Sequence, residues 1–419
     1  MDRSNQRKLG AALLLVLASV LGCMGSTETP MPPSPPSPTG TSSPGATQTL
    51  RPTATPTPTL IVTGTFVATG DMTHARMGAT ATLLPDGKVL IAGGVDAIAV
   101  PAFEYVASAE LYNPSTGTFT RTGSMKVARS SAAAILLPDG RVLIVGGDGC
   151  KDPAHCTTRD WAGETILKSA ELYDPTTGRF TSAGSLTEPG DHATATLLPD
   201  GRVLVVDGYN RVVETYSAMT GKFSHEGTLS NQYQGVVTAL LPNGKVLVVG
   251  DGLPGLGAEL FDPSSGLSSP IPFSVPGTDP HLIQVGTAIV VKDGRVLVWA
   301  WDLHALVNYL FTYDPATDAF AEAGSFDSPA GWAPDSAVLL RDGRILFAGG
   351  AIVAKDGVGG SRDSDSAGLY DPASGFHLLD SKMTQALGGQ TMTTLLDGTV
   401  LIAGGGDGDI LSSAELFKP

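Results

Sequence analysis

An all-β, seven-bladed propeller of four-stranded antiparallel blades is the fold class that this sequence predicts, and three observations predict it. One phrase is written seven times: Leu83-Leu84-Pro85-Asp86-Gly87-Lys88-Val89-Leu90-Ile91-Ala92-Gly93-Gly94 returns as Leu136-Leu137-Pro138-Asp139-Gly140-Arg141-Val142-Leu143-Ile144-Val145-Gly146-Gly147, and again around Gly201, Gly244, Gly294, Gly343 and Gly398. After each copy comes an Ala-Glu-Leu-Tyr-Asp-Pro-like phrase and then a Thr-Gly-x-Phe phrase. The last copy stops at Ala414-Glu415-Leu416-Phe417-Lys418-Pro419, without its final phrase, and Thr63-Gly64-Thr65-Phe66 supplies that phrase near the start. Repeats of this length, made of short strands and tight turns, are what propellers look like at sequence level.

The first segment, 1–22, reads as a signal peptide. Arg3, Arg7 and Lys8 precede an apolar run from Leu9 to Leu21, too short to span a bilayer, in the layout of a secretory leader. Val20-Leu21-Gly22-Cys23 resembles a bacterial lipobox, which implies lipidation of Cys23, with ordinary secretion as the alternative. Cleavage there takes the net charge from −15 to −17, because Asp2 leaves with Arg3, Arg7 and Lys8. Residues 23–59 then form a Pro/Ser/Thr-rich tether with almost no large apolar side chain, unable to bury enough surface to fold. The expected location is extracytoplasmic and membrane-anchored, at the cell envelope or surface.

Residues 60–419 carry the propeller, with 60–72 expected to supply the outer strand of blade 7. In the first copy, Ala79 to Leu84 reads as a first strand of small residues suited to a crowded centre. Pro85-Asp86-Gly87 reads as the hairpin turn, glycine being free to take positive φ. Val89-Leu90-Ile91-Ala92 is apolar without alternation, as for a strand covered on both faces. Ala109-Glu110-Leu111-Tyr112 alternates, Asn113 to Gly117 turns, and Thr118-Phe119-Thr120 is the outer strand. The turn glycines are spaced from 43 residues (Gly201 to Gly244) to 61 (Gly140 to Gly201), so the core is constant while particular loops vary. Closure by the N-terminal strand leaves no long open edge, and a monomer is expected.

The Gly-Gly after the second strand, the Tyr-Asp-Pro after the third and the aromatic opening the fourth resemble kelch repeats. The arrangement over residues 60–419 is similar to the seven-bladed propeller of the galactose-oxidase-like superfamily. Two departures are visible. The fourth-strand aromatic is Phe (Phe66, Phe119, Phe180, Phe223, Phe320, Phe376), with Leu267 in blade 4, where many kelch motifs have Trp. Trp299-Ala300-Trp301 replaces the double glycine of blade 5.

Function is constrained less tightly. The net charge of −15, with no Lys/Arg run outside the first ten residues, argues against a nucleic-acid partner. Cys150 and Cys156 flank a short loop in an exported chain and are expected to form a disulfide, worth about 2 kcal/mol on the loop-entropy model. A metal site from Cys150, His155 and Cys156 lacks a fourth ligand and the usual spacing. The copper-radical oxidases of the superfamily imply a Tyr cross-linked to a Cys and a Tyr-His pair. No Tyr-His dipeptide occurs here, and no cofactor or metal is expected.

Repetition separates structural residues from site residues, because a need shared by all blades recurs while a ligand site is an exception. Glu110, Glu171, Glu259 and Glu415 are therefore expected to bond within the blade, with glycosidase-type paired carboxylates as the sharper alternative. Arg76 and Arg129 stand at equivalent starts of first strands and are read the same way. Variable length is confined to the connections at 95–107, 148–168, 299–308, 351–366 and 406–412, which share one face, so ligand binding is expected there. The exceptions on that face are Asp207, Asp251, Trp299, Trp301, Asp302 and His304. His192 (beside Asp191), Tyr233 (beside Gln234), His281 and Trp332 join them from other loops. Exposed aromatics beside carboxylates suit a sugar ring or a peptide segment; the alternative is that Trp299 and Trp301 pack where two glycines are missing. Asp363-Ser364-Asp365 and Asp407-Gly408-Asp409 are oxygen-rich but lack the full ligand set of a calcium loop. The reading is a binding module for protein or glycan, with a mutarotase-like or oxidase-like carbohydrate-active enzyme as the competitor.

Overall fold

The computed structural model describes residues 63–99, 102–150, 157–158, 164–190, 192–251, 256–275, 278–279, 283–302, 305–327, 331–353, 361–406 and 408–419. Among them there is no α-helix, and none long and apolar enough to cross a membrane. The signal peptide, Cys23, the tether, Cys156, Asp191, His281, His304 and Asp407 lie outside the described residues.

Seven four-stranded antiparallel sheets follow the seven copies of the repeat. Sheet 1 is Thr80–Leu83, Val89–Ala92, Ser108–Asn113 and Thr118–Ser124; sheet 2 is Ala133–Leu136, Val142–Val145, Ser169–Asp174 and Arg179–Ser185. Sheet 3 is Thr194–Leu197, Val203–Asp207, Val212–Ser217 and Lys222–Thr228; sheet 4 is Gly235–Leu240, Val246–Asp251, Gly257–Asp262 and Leu267–Ile271. Sheet 5 is Ile283–Val290, Val296–Asp302, Val307–Asp314 and Ala319–Asp327; sheet 6 is Ser336–Leu339, Ile345–Ala348, Ala367–Asp371 and Gly375–Leu378. Sheet 7 takes Thr391–Thr394, Val400–Ala403 and Ala414–Lys418 from the C-terminus and Thr65–Ala68 from the N-terminus, with Phe66 opposite Phe417.

The physical reason for each strand is local. Asp86 shows the turn: its Oδ1 accepts the Lys88 amide (3.1 Å) while Gly87 takes φ of 84°. The apolar second strands are buried along their whole length because a neighbouring sheet covers each face. One core cluster joins Leu143 and Val145 of sheet 2 to Val203 and Val205 of sheet 3, and others join the remaining neighbours in the same manner. The third-strand tyrosine packs on the fourth-strand phenylalanine at 4.8 Å in Tyr112–Phe119 and 4.9 Å in Tyr173–Phe180. Phe66 meets Phe417 at 5.0 Å with the same tilt, so the N-terminal strand enters sheet 7 in the register of a native fourth strand.

First strands pack on one another in chain order: sheet 1 on 2, 2 on 3, 3 on 4, 4 on 5, 5 on 6, 6 on 7, and sheet 7 back on 1. Outer strands approach closely at glycine. A Cβ on Gly123 would stand 2.3 Å from the Gly178 carbonyl oxygen, which already accepts the Gly123 amide at 2.9 Å.

The long connections build three further three-stranded sheets on the face where loop length varies. Asp148–Cys150 pairs with Arg129–Ser130 and with Glu164–Ile166; Ala102–Tyr105 lies between Val95–Ala99 and Thr157–Thr158; Ala351–Val353 lies between Trp332–Ala333 and Ser361–Asp363. Thr157–Thr158, from the loop of sheet 2, thus pairs with the loop of sheet 1. These loops stand as walls over sheets 1, 2 and 6, while sheet 3 carries only a tight turn from Asp207 to Val212.

Candidate functional site

One position in each repeat controls the loop face. The Arg76 guanidinium donates to the Gly93 carbonyl (2.9 Å), the Ser108 carbonyl (2.9 Å), Ser108 Oγ (2.8 Å) and Glu110 Oε1 (3.0 Å). Arg129 makes the same four contacts with Gly146, Ser169 and Glu171. Both arginines are 1% exposed. Burial lowers each guanidinium's pKa while the glutamate beside it pulls the other way. Glu110 stays below the ordinary range despite burial, because the Thr73 amide and Arg76 stabilise its charge. The expectation that these glutamates bond within the repeat holds in geometry: Glu171, Glu259 and Glu415 also accept backbone amides of the segment entering their own sheet.

The register of the second and third strands identifies the counterparts elsewhere. Ile91 faces Glu110, Val205 faces Glu214, Val248 faces Glu259 and Ile402 faces Glu415, but Val298 faces Phe311 and Phe347 faces Gly368. At the arginine position, backbone carbonyls of Arg76, Arg129, Gly190 and Leu387 each accept from the second glycine of the preceding sheet. Tyr233 and Trp332 fill the same place in sheets 4 and 6. The Tyr233 hydroxyl donates to Glu259 Oε1 at 3.0 Å, and its pKa is raised first by burial and then by that carboxylate. Trp332 Nε1 donates to the Gly349 carbonyl at 2.6 Å, spanning the same 17 residues as the Arg76 and Arg129 bonds. These two aromatics, expected to face a ligand, are each 1% exposed and replace an arginine.

The exposure expected of the other tryptophans is also absent. Trp299 and Trp301 are 6% and 7% exposed and belong to the apolar cluster between sheets 5 and 6. Packing where two glycines are missing is therefore what the structure shows. The ring of Trp299 lies over Gly286, where any Cβ would collide with it, and its Nε1 donates to Asn308 Oδ1 at 2.9 Å. The carboxylates hold backbone. Asp207 accepts the amides of Tyr209 (2.9 Å) and Asn210 (3.3 Å) and the Asn210 side chain (2.6 Å), clamping the turn of sheet 3. Asp302 accepts the Ala305 amide at 2.8 Å. Cys150 pairs in backbone with Glu164, and Asp365 lies 3.4 Å from Lys382.

Four groups remain at the mouth formed where the first strands begin. His192 is exposed at φ of 48°, a turn position that Gly78, Ser131 and Gly389 share in other sheets. Asp251, near it, accepts the Gly235 amide (2.9 Å) and the Val285 amide (3.0 Å), stitching sheet 4 to sheet 5. Burial raises the Asp251 pKa, those two amides oppose the rise, and the His192 charge opposes it further. On the sheet 6–7 side stand Asp363, weighed from the sequence only as part of an oxygen-rich loop, and Asp335, which the sequence reading did not include. Asp335 Oδ2 accepts the Gly389 amide (2.5 Å) and Oδ1 accepts Gln390 Nε2 (2.9 Å). A Cβ on Gly388 would lie 2.7 Å from Asp363 Oδ1 and 3.9 Å from Asp335 Oδ2, so the two carboxyls flank one glycine. Asp335 is exposed to solvent, and the protein crowded around its carboxyl removes part of its hydration. That desolvation pushes its pKa up to about 6, with the Asp363 charge adding to the rise and the Gly389, Ser336 and Gln390 hydrogen bonds opposing it. A sequence signal existed: the residue preceding the partner of Ala92, Val145, Val206 and Val249 is Ala79, Ala132, Ala193 and Val236 in sheets 1 to 4, but Asp335 and Gln390 precede the partners of Ala348 and Ala403 in sheets 6 and 7.

No family model and no curated protein matches the chain. Solved structures do. A fungal alcohol oxidase of the AA5 family, in complex with copper, is 14% identical over 84% of this chain and 75% of its own, with a TM-score of 0.60. A streptogramin B lyase is 12% identical over 85% and 97%, at 0.55. A catalytically inactive virginiamycin B lyase from Staphylococcus aureus with quinupristin is 11% identical over 85% and 100%, at 0.57. Likeness at such low identity concerns the fold alone. Among the described residues no group of three or more His, Cys, Asp or Glu is assembled to hold a metal. What the chain shares with these enzymes is a β-propeller architecture.

Proposed function

We propose that this chain is a closed seven-bladed, kelch-type propeller, held outside the cytoplasm by a lipid on Cys23 and the 23–59 tether, with a Cys150–Cys156 disulfide. Its work is non-catalytic recognition of a protein or glycan through the mouth of the loop-rich face. One observation supports this above the others: positions that repeat are buried and bond within their own sheet, whereas the mouth gathers solvent-reached acceptors that no repeat requires. Asp335 and Asp363 lie on its sheet 6–7 side, and Asp251 and His192 lie at sheets 3 and 4, across the ring in packing order. Such a rim suits ligand groups that donate hydrogen bonds or carry positive charge, namely sugar hydroxyls or the side chains of a basic peptide. A glycan array and a peptide pull-down with the purified protein test this. Binding that Asp335→Asn and His192→Ala each weaken is the expected outcome; interactions indifferent to both substitutions defeat the reading.

A second reading has its own support. Asp335, whose pKa desolvation pushes up to about 6, takes up a proton as pH falls just below neutral, and it shares one glycine with a second carboxyl, Asp363, as in the carboxyl pairs that acid–base chemistry on a sugar uses. Following anomer exchange of free aldoses by NMR decides it. Acceleration lost in Asp335→Asn favours the enzyme, and an uncatalysed rate removes it.

A further inference from the structure

The arginine position has a consequence in sheet 3. There Gly190 stands where Arg76 and Arg129 stand, and no guanidinium covers Glu214. Glu214 Oε1 accepts the Thr187 amide and hydroxyl, both at 2.9 Å, but Oε2 is buried without a hydrogen-bond partner among the described residues. The residue is 2% exposed. Beside it lies a cavity of about 10 Å³, lined by Leu186, Glu188, Val205, Asp207, Val212 and Glu214. Asp207, Val212 and Glu214 correspond in register to Gly93, Ser108 and Glu110, the three residues that hold the Arg76 guanidinium.

Size and charge together select the occupant. A cavity of this volume admits one water-sized body, not a guanidinium. Three carboxylates line it; Glu188 has Lys168 Nζ at 3.6 Å, an ammonium that also donates to the Thr187 carbonyl, and the buried Glu214 oxygen has no such partner among the described residues. A buried carboxylate oxygen lacking a counter-charge is costly, and a cation removes that cost where a water does so only in part. A divalent ion calls for several carboxylates converging on it to balance its charge, which the described residues do not assemble, whereas one orphaned carboxylate oxygen matches a single positive charge. We propose that the Glu214 cavity is a binding site for one small monovalent cation of the sodium, potassium or ammonium class, replacing the charge that arginine supplies in sheets 1 and 2.

The test uses the purified protein at pH 7 and fixed ionic strength. Thermal midpoints are compared in sodium, potassium, ammonium and choline chloride, the last too large to enter. At least one of the small cations is expected to raise the midpoint over choline by about 2–4 °C, saturating with concentration. Glu214→Gln removes this response. Glu415→Gln, at another buried carboxylate with no arginine over it, leaves the response unchanged and controls for general charge effects. A midpoint indifferent to cation identity, or a response that survives Glu214→Gln, overturns the proposal.

Discussion

Arg76 Nη2 lies 3.0 Å from Glu110 Oε1, and neither side chain has any exposed surface. The pair ties the segment entering sheet 1 to that sheet's third strand, and the carbonyls of Gly93 and Ser108 complete it. Removing one partner strands a buried charge. Arg76→Ala is expected to destabilise by about 3–5 kcal/mol, whereas Arg76→Met with Glu110→Leu recovers much of that loss. Chemical denaturation of the three variants checks both statements, and a double variant no better than the single one contradicts the argument.

The tryptophans of sheet 5 separate by their indole nitrogens. Trp299 Nε1 donates to Asn308, while Trp301 Nε1 is buried without a partner among the described residues. Trp299→Phe leaves the Asn308 oxygen unsatisfied and is expected to cost more than Trp301→Phe by about 1–2 kcal/mol. Equal losses in urea melts count against the assigned bond. Gly286→Ala, forced into the Trp299 ring, is expected to be worse than either.

Trp332 is expected to behave as core. Its ring is 1% exposed and its centroid lies 6.4 Å from those of both Phe326 and Phe376. Trp332→Ala is expected to cost about 3–5 kcal/mol in stability. Its near-full burial also predicts that tryptophan fluorescence from this site resists aqueous quenchers until the fold melts.

Asp335 predicts a pH dependence. A carboxyl whose folded value is raised to about 6, from an ordinary value of 3.8, favours the fold in its protonated form. Stability from this group is full below pH 4 and is lost as pH rises through 6. Asp335→Asn therefore flattens stability between pH 4 and 6, read from denaturation midpoints across that window. Binding of a cationic or hydroxyl-rich ligand is expected to run the other way, strengthening as Asp335 ionises, which isothermal titration at pH 5 and pH 7 compares.

The fold was legible in the sequence because a propeller needs the same local chemistry in every unit. Asp86-Gly87, Gly93-Gly94 and the Tyr112–Phe119 pair are local solutions to turning and packing, so they recur and can be counted. The site was less legible because an exception in a repeat has two meanings. Tyr233 and Trp332 break the pattern while serving the pattern's own purpose, bonding to Glu259 and to the Gly349 carbonyl as an arginine does elsewhere. Asp335 breaks a run of small apolar residues at its position, a mild exception in the linear chain whose setting is seen when Gly389 and Gln390 of the next sheet are brought against it. His281 and His304 lie outside the described residues and stay as expectations from the sequence.

Val67 pairs with Leu416, so the earliest strand among the described residues completes the sheet that the last one builds. During synthesis, Thr65–Ala68 emerges early and has no partner until nearly the whole chain has followed. Each other four-stranded sheet gathers its strands from one stretch of sequence, and sheet 7 alone joins the two ends of the described residues. Contacts so distant in sequence close slowly. The seventh sheet is therefore expected to set the folding time, and a chain shortened by a few C-terminal residues to leave its earliest strand waiting indefinitely.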